Sequence, residues 1–448
     1  MRSDRDEGLL TPVGVGFDEP VADAAVLDAL VTAEVALTRS WAAAGAASAA
    51  TADAVSAVLG WRGDAGFCTG HGIELAALAA HAVADGNPVV PLVPRLRAAV
   101  PPEHRVWVHR GATSQDILDT ALVLVARDAG ARLVAALQEA EAALADLARV
   151  GRGTVAAART LGQHAVPTTV GLRAATWVAG LRRARGRLDT ALAALPAQLG
   201  GAAGTLASFV AIADAATAAG LPRRYAAELG LVAPEAPWHT NRWPITELGD
   251  ALVQAVDACG VVATDVATLS RTEIGELAEG APGGSSAMPQ KQNPVASVLV
   301  RSAAIRAPHL GATLHAAAAL AGDERPDGAW HAEWPALREL LRLALGATGT
   351  LARLASGLRV DEAAVARNLA ATRGLIVAER LAIELTPLVG ADAVAALLAR
   401  AAAGESLPAV LAAADGLEGV DVGALLDPAG YTGLAGDLVD RLLAEDDA

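Results

Sequence analysis

The sequence predicts an all-α protein, and three observations lead to this prediction. Hydrophobic residues make up 53% of the 448 residues while aromatic residues make up 3%, so the apolar residues are mostly Ala, Leu and Val. Alanine has the highest helix propensity, whereas strands prefer β-branched and aromatic residues. Long segments also carry apolar residues three and four positions apart, which is the spacing of one helix face. We therefore expect long, closely packed helices.

The elements suggest three helical domains. Residues 1–110 are expected to form the first, and one face of its first helix would carry Leu27, Leu30, Val31 and Leu37. Residues 111–355 are expected to form a central bundle of long helices that carries the site loops. Residues 356–448 are expected to form a third, Ala-rich helical domain with an acidic end.

The central bundle has the strongest helical pattern. Residues 116–150 contain no proline, and a seam of apolar residues alternates four and three positions apart, as in helical bundles. A helix of this length would span about 50 Å. The seam consists of Leu133, Leu137, Ala140, Leu144 and Leu147. Further long helices are predicted at residues 168–196, 245–278, 295–320 and 331–358.

Composition argues against several partners and locations. The net charge of −15 disfavours nucleic acid, because phosphate binding needs a basic surface. Cys68 and Cys259 are too few for a disulfide framework or a metal cluster, so we expect buried thiols, no metal and a reducing cytoplasm. The run 191–213 has no charged residue, but Pro196 and three glycines interrupt it, so two buried helices meeting at "LGGAAGTLA" are expected rather than a membrane span.

Polar, aromatic and glycine-rich residues gather in short segments between the predicted helices, and these segments are expected to be loops. Such clusters at the ends of rigid helices are typical of a functional site. The segments are "VHRGATSQD" at 108–116, "ARTLGQHAVPTT" at 158–169, "EAPWHTNRWP" at 235–244, "EGAPGGSSAMPQKQNP" at 279–294 and "AGDERPDGAWHAEW" at 321–334.

The segment "GGSSAMPQKQNP" at 283–294 differs most from its surroundings. Its glycines, with Gly280, are expected to adopt backbone angles closed to other residues and to turn N–H groups inward. It lacks the GxSxG pattern of a hydrolase nucleophile and the Gly-Lys-Ser/Thr ending of a phosphate loop. A serine stabilised by backbone N–H groups and by Lys291 could still act as a base. An ordinary flexible Gly/Ser loop is the alternative from composition alone.

The motif at Gly284–Pro294 resembles the signature GSSxMPxKxNP of the fumarase/aspartase superfamily without a mismatch. "GATSQDILDT" at 111–120, "WHTNR" at 238–242 and "GAWHAEW" at 328–334 resemble its bacterial 3-carboxy-cis,cis-muconate cycloisomerase branch. The similarity continues near the C-terminus, so it covers nearly the whole chain. It implies a cofactor-independent enzyme with a small anionic polycarboxylate substrate, in a homotetramer whose active sites are shared between subunits.

The resemblance assigns roles to individual residues. Ser286 matches the catalytic base of the superfamily. The substrate contacts matched are Thr113, Ser114, Lys291 and Asn293, and Gln163 lies in the second conserved segment. In many lyases of the superfamily this segment contains a histidine that supports the general acid, and Leu161 stands there in this chain. A carboxylate leaving group needs no proton donor, so Leu161 fits the cycloisomerase branch.

Other candidate residues leave alternatives open. His164 is a replacement acid or a structural hydrogen-bonding group, and His109 is a substrate contact or a histidine that caps its loop. Arg325 is a carboxylate clamp or an ion-pair partner of a neighbouring aspartate. Trp238 and Trp330 are expected to pack rather than to bind substrate.

Two departures from the cycloisomerase branch leave the substrate open. Arg110 replaces a tryptophan of that branch, and Trp243-Pro244 interrupts a segment that usually reads "WHTQRDR". Conversion of 3-carboxy-cis,cis-muconate to 4-carboxymuconolactone in protocatechuate catabolism is the favoured function. The alternatives are β-elimination that yields fumarate or a related acid, as in adenylosuccinate lyase, and a non-catalytic helical assembly protein. Retention of Ser286, Lys291 and Asn293 argues against the last.

Overall fold

A computed structural model of the chain describes residues 7–63, 66–284 and 287–444. It is predominantly helical, as predicted, with two short antiparallel ladders. The helices are α1 Asp23–Ala43, α2 Ala49–Leu59, α3 Leu75–Asp85, α4 Val89–Ala99, α5 Ser114–Val150, α6 Val170–Ala193, α7 Ala207–Ile212, α8 Ala215–Leu229, α9 Trp243–Leu269, α10 Val295–Ala319, α11 Ala329–Gly357, α12 Glu362–Leu369, α13 Ala378–Val389, α14 Ala391–Ala402, α15 Leu407–Ala412, α16 Val422–Leu426 and α17 Ala435–Leu443. The strands are β1 Val155–Thr160, β2 Gln163–Thr169, β3 Leu277–Ala278 and β4 Arg359–Val360.

The described residues fall into two compact units, and the long helices contribute residues to both. Unit 1 comprises Met1–Ala136, Ala184–Asp257 and Ser302–Gly349, and unit 2 comprises Leu137–Arg183, Ala258–Arg301 and Thr350–Ala448. The division into domains 1–110, 111–355 and 356–448 stays a prediction.

In unit 1, α1 packs against α2 and α8. Its predicted apolar face, Leu27, Leu30, Val31 and Leu37, is buried. Ser48 begins α2 by accepting a hydrogen bond from the Thr51 backbone N–H, an arrangement that satisfies one of the free donors at a helix start.

Unit 2 contains the β1–β2 hairpin and the helices after α11. Its apolar core is built mainly from the C-terminal helices, with Ile376, Val377, Leu381 and Leu385 among its buried members. The prediction of Ala-rich helix in this region is confirmed.

The predicted long helices are present, and four seam residues of α5, Leu133, Leu137, Ala140 and Leu144, are fully buried. One predicted end is wrong: α9 stops at Leu269 rather than near residue 278. Gly275 adopts φ +65°, which helical backbone does not allow, and Leu277–Ala278 then pairs with Arg359–Val360.

The uncharged run 191–213 also differs from its prediction of two buried helices. α6 ends at Ala193, and the six-residue α7 is all that is helical in the second half. Pro196 and the left-handed Gly201 and Gly204 prevent continuous helix, and the Ala197 N–H is satisfied by the Val232 carbonyl at 3.0 Å. By length and composition, α9 is apolar enough to cross a bilayer, but half of its most apolar window is buried within the structure, a property that core helices share.

The predicted inert thiols are confirmed. Cys68 and Cys259 are both buried and free. Burial raises the pKa of Cys68 to about 11 and that of Cys259 to about 12, so neither forms a reactive thiolate near neutral pH.

Candidate active site

The loop before α5 brings the first group of candidate residues together in unit 1. His109 and Gly111 both have positive φ angles, +58° and +83°. A Cβ atom at Gly111 would lie 2.9 Å from the Phe209 ring, so this turn requires glycine. The Trp41 indole N–H donates to the Arg110 carbonyl at 2.9 Å, which anchors the loop to α1.

Asp116, in the first turn of α5, holds three chain segments together. Its fully buried carboxylate accepts hydrogen bonds from the backbone N–H groups of Thr113 at 3.0 Å, Gly200 at 2.8 Å and Gly201 at 2.9 Å. His239 Nε2 lies 2.8 Å from the same carboxylate. Asp116 therefore fixes the position of Thr113. Asp116 is two residues beyond the Thr-Ser pair, and no pattern in the sequence signals its role.

Arg325 reaches the same loop. Its guanidinium donates to Thr113 Oγ1 at 2.5 Å and to the Ala202 carbonyl at 3.1 Å, while its Nε is buried without a hydrogen-bond partner in the described chain. Arg325 therefore contacts the Thr113 loop instead of forming the alternative ion pair with Asp323 or Asp327. An arginine with an unused donor beside a threonine hydroxyl is suited to receive a carboxylate.

A buried ion-pair network supports the segment that supplies His239. The Arg242 guanidinium donates to Asp119 Oδ2 at 2.6 Å and to Glu333 Oε1 at 2.5 Å, and the Trp330 indole N–H donates to Asp119 Oδ1 at 2.8 Å. Trp238 and Trp330 are buried, as their predicted packing role requires. Loss of one partner would leave a buried charge uncompensated, so the network holds this segment in one geometry.

His109 pairs with a buried carboxylate. Its Nδ1 lies 2.7 Å from Glu34 Oε1. Burial opposes protonation of the ring, but the charge and the hydrogen bond of Glu34 more than offset this, so the pKa of His109 is raised above its ordinary value. His109 thus caps its loop through Glu34 and also lines an open pocket.

The second conserved segment, in unit 2, is a β-hairpin, so the prediction of a loop at 158–169 is wrong. β1 and β2 pair antiparallel, and Leu161 and Gly162 form a two-residue turn with φ angles of +50° and +81°. Two consecutive left-handed residues are the geometry that suits the twist of a tight hairpin. The Leu161 side chain is fully exposed at the tip.

A pocket of about 840 Å³ in unit 2 is lined in part by Gln163 and His164. Beneath it, the buried Glu276 accepts hydrogen bonds from Arg159 at 2.5 Å and from Asn368 at 2.8 Å. The pKa of His164 is lowered, first by burial and then by the Arg159 charge. A neutral His164 is better suited to hydrogen bonding than to donating a proton at neutral pH.

The glycine-serine segment, also in unit 2, is closed at its base by paired backbone. The Gly283 N–H donates to the Asn293 carbonyl at 2.9 Å, the Asn293 N–H donates back at 2.8 Å, and Asn293 Nδ2 donates to the Gly284 carbonyl at 3.2 Å. Glu279 then accepts from the Ser297 N–H at 2.8 Å, at the start of α10. Lys291 is exposed. Ser286 lies outside the described residues.

The prediction that the glycines of this segment adopt backbone angles closed to other residues is wrong. Gly280, Gly283 and Gly284 all avoid positive φ. A Cβ atom at Gly280 would lie 2.6 Å from the Gly357 carbonyl oxygen, and one at Gly283 would lie 2.2 Å from Val295 Cγ2. At these two positions close packing, rather than unusual backbone angles, requires glycine.

The structure therefore groups His109, Thr113, Ser114 and Arg325 in unit 1. It groups Gln163, His164, Lys291 and Asn293 in unit 2. Within unit 1, Thr113 and Arg325 are in direct contact. Sequence reasoning missed the residues that hold these groups in place, namely Asp116, Asp119, His239 and Glu276, because their partners are distant in the chain.

Comparison with known proteins gives consistent matches. A family model described as "Lyase" matches residues 18–308. A nitrosuccinate lyase of Streptomyces davaonensis is 46% identical, with 99% of this chain and 95% of the relative covered. A 3-carboxy-cis,cis-muconate cycloisomerase of Bradyrhizobium diazoefficiens is 40% identical, with 94% of each covered. The solved 3-carboxy-cis,cis-muconate lactonizing enzyme of Pseudomonas putida has a TM-score of 0.87 at 34% identity, covering 97% of this chain and 98% of that one.

Proposed function

Since this chain belongs to the fumarase/aspartase superfamily of lyases and cycloisomerases, we propose that it eliminates nitrite from nitrosuccinate and releases fumarate. The relative that is 46% identical over 99% of the chain carries this activity in its name. The sequence alone favours cycloisomerization over elimination. The identity to this relative leads us to rank elimination from nitrosuccinate first. Both reactions act on a small polycarboxylate.

Leu161 is the observation in the site that supports this proposal over a lyase that expels an amine. It stands where many lyases of the superfamily have a histidine that supports the general acid, and its side chain can neither donate nor accept a proton. Nitrite is the conjugate base of an acid roughly as strong as a carboxylic acid, so it departs unprotonated. An amine leaving group would need a proton donor. Leu161 therefore fits a lyase that expels a weakly basic anion.

In the proposed mechanism, Ser286 removes a proton from the carbon next to one carboxylate. The electrons of the broken C–H bond move into that carboxylate as an aci-carboxylate, which Lys291 and backbone N–H groups stabilise. They then form the C=C bond while the C–N bond breaks, and its electron pair leaves with nitrite. The proton stays on Ser286 until solvent removes it, so charge and atoms balance without a cofactor.

Binding of the substrate carboxylates is assigned to the remaining candidates. Thr113, Ser114 and Arg325 would hold one carboxylate, because the Thr113 hydroxyl and the Arg325 guanidinium already converge. Asn293 would support the segment that carries Ser286, and Gln163 and His164 would donate hydrogen bonds from the hairpin. Asp116 positions Thr113 without touching substrate.

Closure of 3-carboxy-cis,cis-muconate to its lactone is the second candidate. A relative named 3-carboxy-cis,cis-muconate cycloisomerase is 40% identical over 94% of the chain. In the reverse, ring-opening direction of this reaction the leaving group is a carboxylate, which also departs unprotonated. Arg110 and Trp243-Pro244 depart from that branch, which argues against this second candidate. Both candidates include a cytoplasmic homotetramer with sites shared between subunits.

The test is to assay the purified protein side by side on nitrosuccinate, 3-carboxy-cis,cis-muconate and adenylosuccinate. Nitrite is measured colorimetrically and fumarate by its ultraviolet absorbance. The proposal expects equal amounts of nitrite and fumarate from nitrosuccinate, at a kcat/KM at least about 100-fold above those for the other two substrates. Turnover of 3-carboxy-cis,cis-muconate alone would overturn it in favour of the second candidate.

A further inference from the structure

A basic pocket of about 450 Å³ lies beside the Thr113 loop in unit 1. Its basic lining residues are Arg97, Arg105, His109 and Arg110, and the remaining lining residues are apolar or glycine. We call it the arginine pocket. No Asp or Glu lines it. A pocket with arginine side chains and no acidic lining residue favours the binding of an anion.

The charges of these arginines are not neutralised by the protein. Arg97 donates to the Val108 carbonyl at 3.1 Å, and Arg105 donates to the Val100 carbonyl at 3.0 Å. Neither contact supplies a negative charge. In the part of the chain that the structure describes, no carboxylate lies within ion-pair distance of Arg97, Arg105 or Arg110, and the nearby Glu34 is paired with His109. The pocket therefore keeps a positive charge.

Arg110 is held in place with an unused donor. Its guanidinium lies over the Trp107 ring, 5.2 Å from the centroid, and its carbonyl accepts from Trp41. Its Nε is buried and has no hydrogen-bond partner among the described residues. A buried donor without a partner is costly, and a bound carboxylate would relieve that cost with a charge-assisted hydrogen bond.

The pocket lies close to Thr113 along the chain. Gly111 lines the pocket and precedes Thr113 by two residues, so their Cα atoms are at most about 7.6 Å apart. A fumarate or succinate skeleton extends over a comparable length. One carboxylate at Thr113 and Arg325 would direct the other toward Arg110.

From these contacts we infer that the arginine pocket binds the second carboxylate of the substrate and that Arg110 determines specificity for four-carbon dicarboxylates. This inference rests on the proposed function and adds a binding group to it. It also explains the departure from the cycloisomerase branch, because a tryptophan at position 110 would fill the pocket with an apolar ring, whereas arginine makes it an anion site.

Fumarate binding to the full-length protein tests the inference without requiring turnover. Isothermal titration at low ionic strength is performed on the wild type and on Arg110→Gln, which removes the charge but keeps an extended side chain. Arg105→Gln is a second variant, at an exposed position where a substitution leaves the packed core intact. Arg223→Gln is the matched control, because Arg223 is exposed on α8 and does not line the pocket.

The expected result is a fumarate affinity roughly 10- to 100-fold lower in Arg110→Gln and about 10-fold lower in Arg105→Gln, with Arg223→Gln unchanged. Arg105→Gln should also raise KM for nitrosuccinate while leaving kcat nearly the same, since it removes binding rather than transition-state stabilisation. Arg110→Trp should weaken fumarate binding as strongly as Arg110→Gln.

Unchanged fumarate affinity in folded Arg110→Gln and Arg105→Gln would overturn the inference. A parallel titration with inorganic phosphate separates substrate binding from a general anion site. If phosphate binding depends on Arg110 and fumarate does not displace phosphate, the pocket is independent of the substrate and the inference fails. A protein that binds fumarate through Arg110 but does not convert nitrosuccinate would refute the proposed function and leave this inference standing.

Discussion

At the scale of single residues, Ser286 is the first to test. Replacement by alanine removes the proposed base, so we expect kcat to fall by roughly 10²- to 10⁴-fold. Far-ultraviolet circular dichroism and the oligomeric state should stay unchanged, because the substitution removes only a hydroxyl. Ser285→Ala is the neighbouring control and should have a milder effect. A correctly assembled Ser286→Ala protein with wild-type rates would disprove the assignment.

Leu161 tests the leaving-group argument. If nitrite departs without a proton, Leu161→His should not accelerate elimination from nitrosuccinate. Because the leucine is fully exposed at the hairpin tip, the substitution should also change the melting temperature little. The measurement is kcat/KM for the variant and the wild type across neutral pH. A gain of tenfold or more would mean that the site lacks an acid that its reaction needs.

His109 predicts a pH dependence of stability. The pKa of His109 is raised in the folded protein, because the charge and hydrogen bond of Glu34 outweigh burial. Its charged pairing therefore contributes fully below its unfolded pKa of about 6.5 and is lost as pH rises through the folded pKa. The difference in free energy of unfolding between wild type and His109→Gln should narrow over that interval. A difference that widens with rising pH would contradict this.

At the scale of elements, the junction between the 108–113 loop and α5 depends on Asp116. Asp116→Asn keeps the shape but replaces one acceptor oxygen with a donor that faces N–H groups, so we expect a loss of roughly 1–3 kcal/mol of stability. kcat/KM should fall as well, because Thr113 loses its anchor. Asp146→Asn on the same helix is the control, since its pair with Arg149 is exposed. Equal melting temperatures for the two variants would refute the role.

Elements with local patterns were predictable from the sequence. The buried face of α1 and the seam of α5 follow from apolar spacing alone. The β1–β2 hairpin was not predictable, because its first strand, "VAAART", has the alanine content of a helix and its turn carries Leu161 where a hairpin usually has Asn or Asp. The partners of Asp116 were also hidden, because Gly200 and His239 lie 84 and 123 residues away in the chain.

At the scale of the whole molecule, the proposed tetramer predicts complementation between inactive variants. Ser286→Ala and Thr113→Ala subunits are mixed, dissociated and reassembled. If each site takes Ser286 and Thr113 from different subunits, about one site in four in evenly mixed tetramers contains neither substitution. The measurement is activity after mixing, with each variant reassembled alone as the control. No recovery in verified mixed tetramers would rule out shared sites.

The long separations around Asp116 have a consequence for synthesis on the ribosome. The Asp116 carboxylate cannot bind His239 until at least 123 further residues have been added after it. The Arg242 network cannot form until Glu333 has been added as well. During this interval the loop keeps its contacts with Trp41 and Glu34, but Asp116 lacks its later partners and remains hydrated while α5 forms from local contacts. A nascent chain released shortly before residue 333 would therefore contain most of the helices, but the segment that supplies His239 would lack the Glu333 contact that completes the Arg242 network.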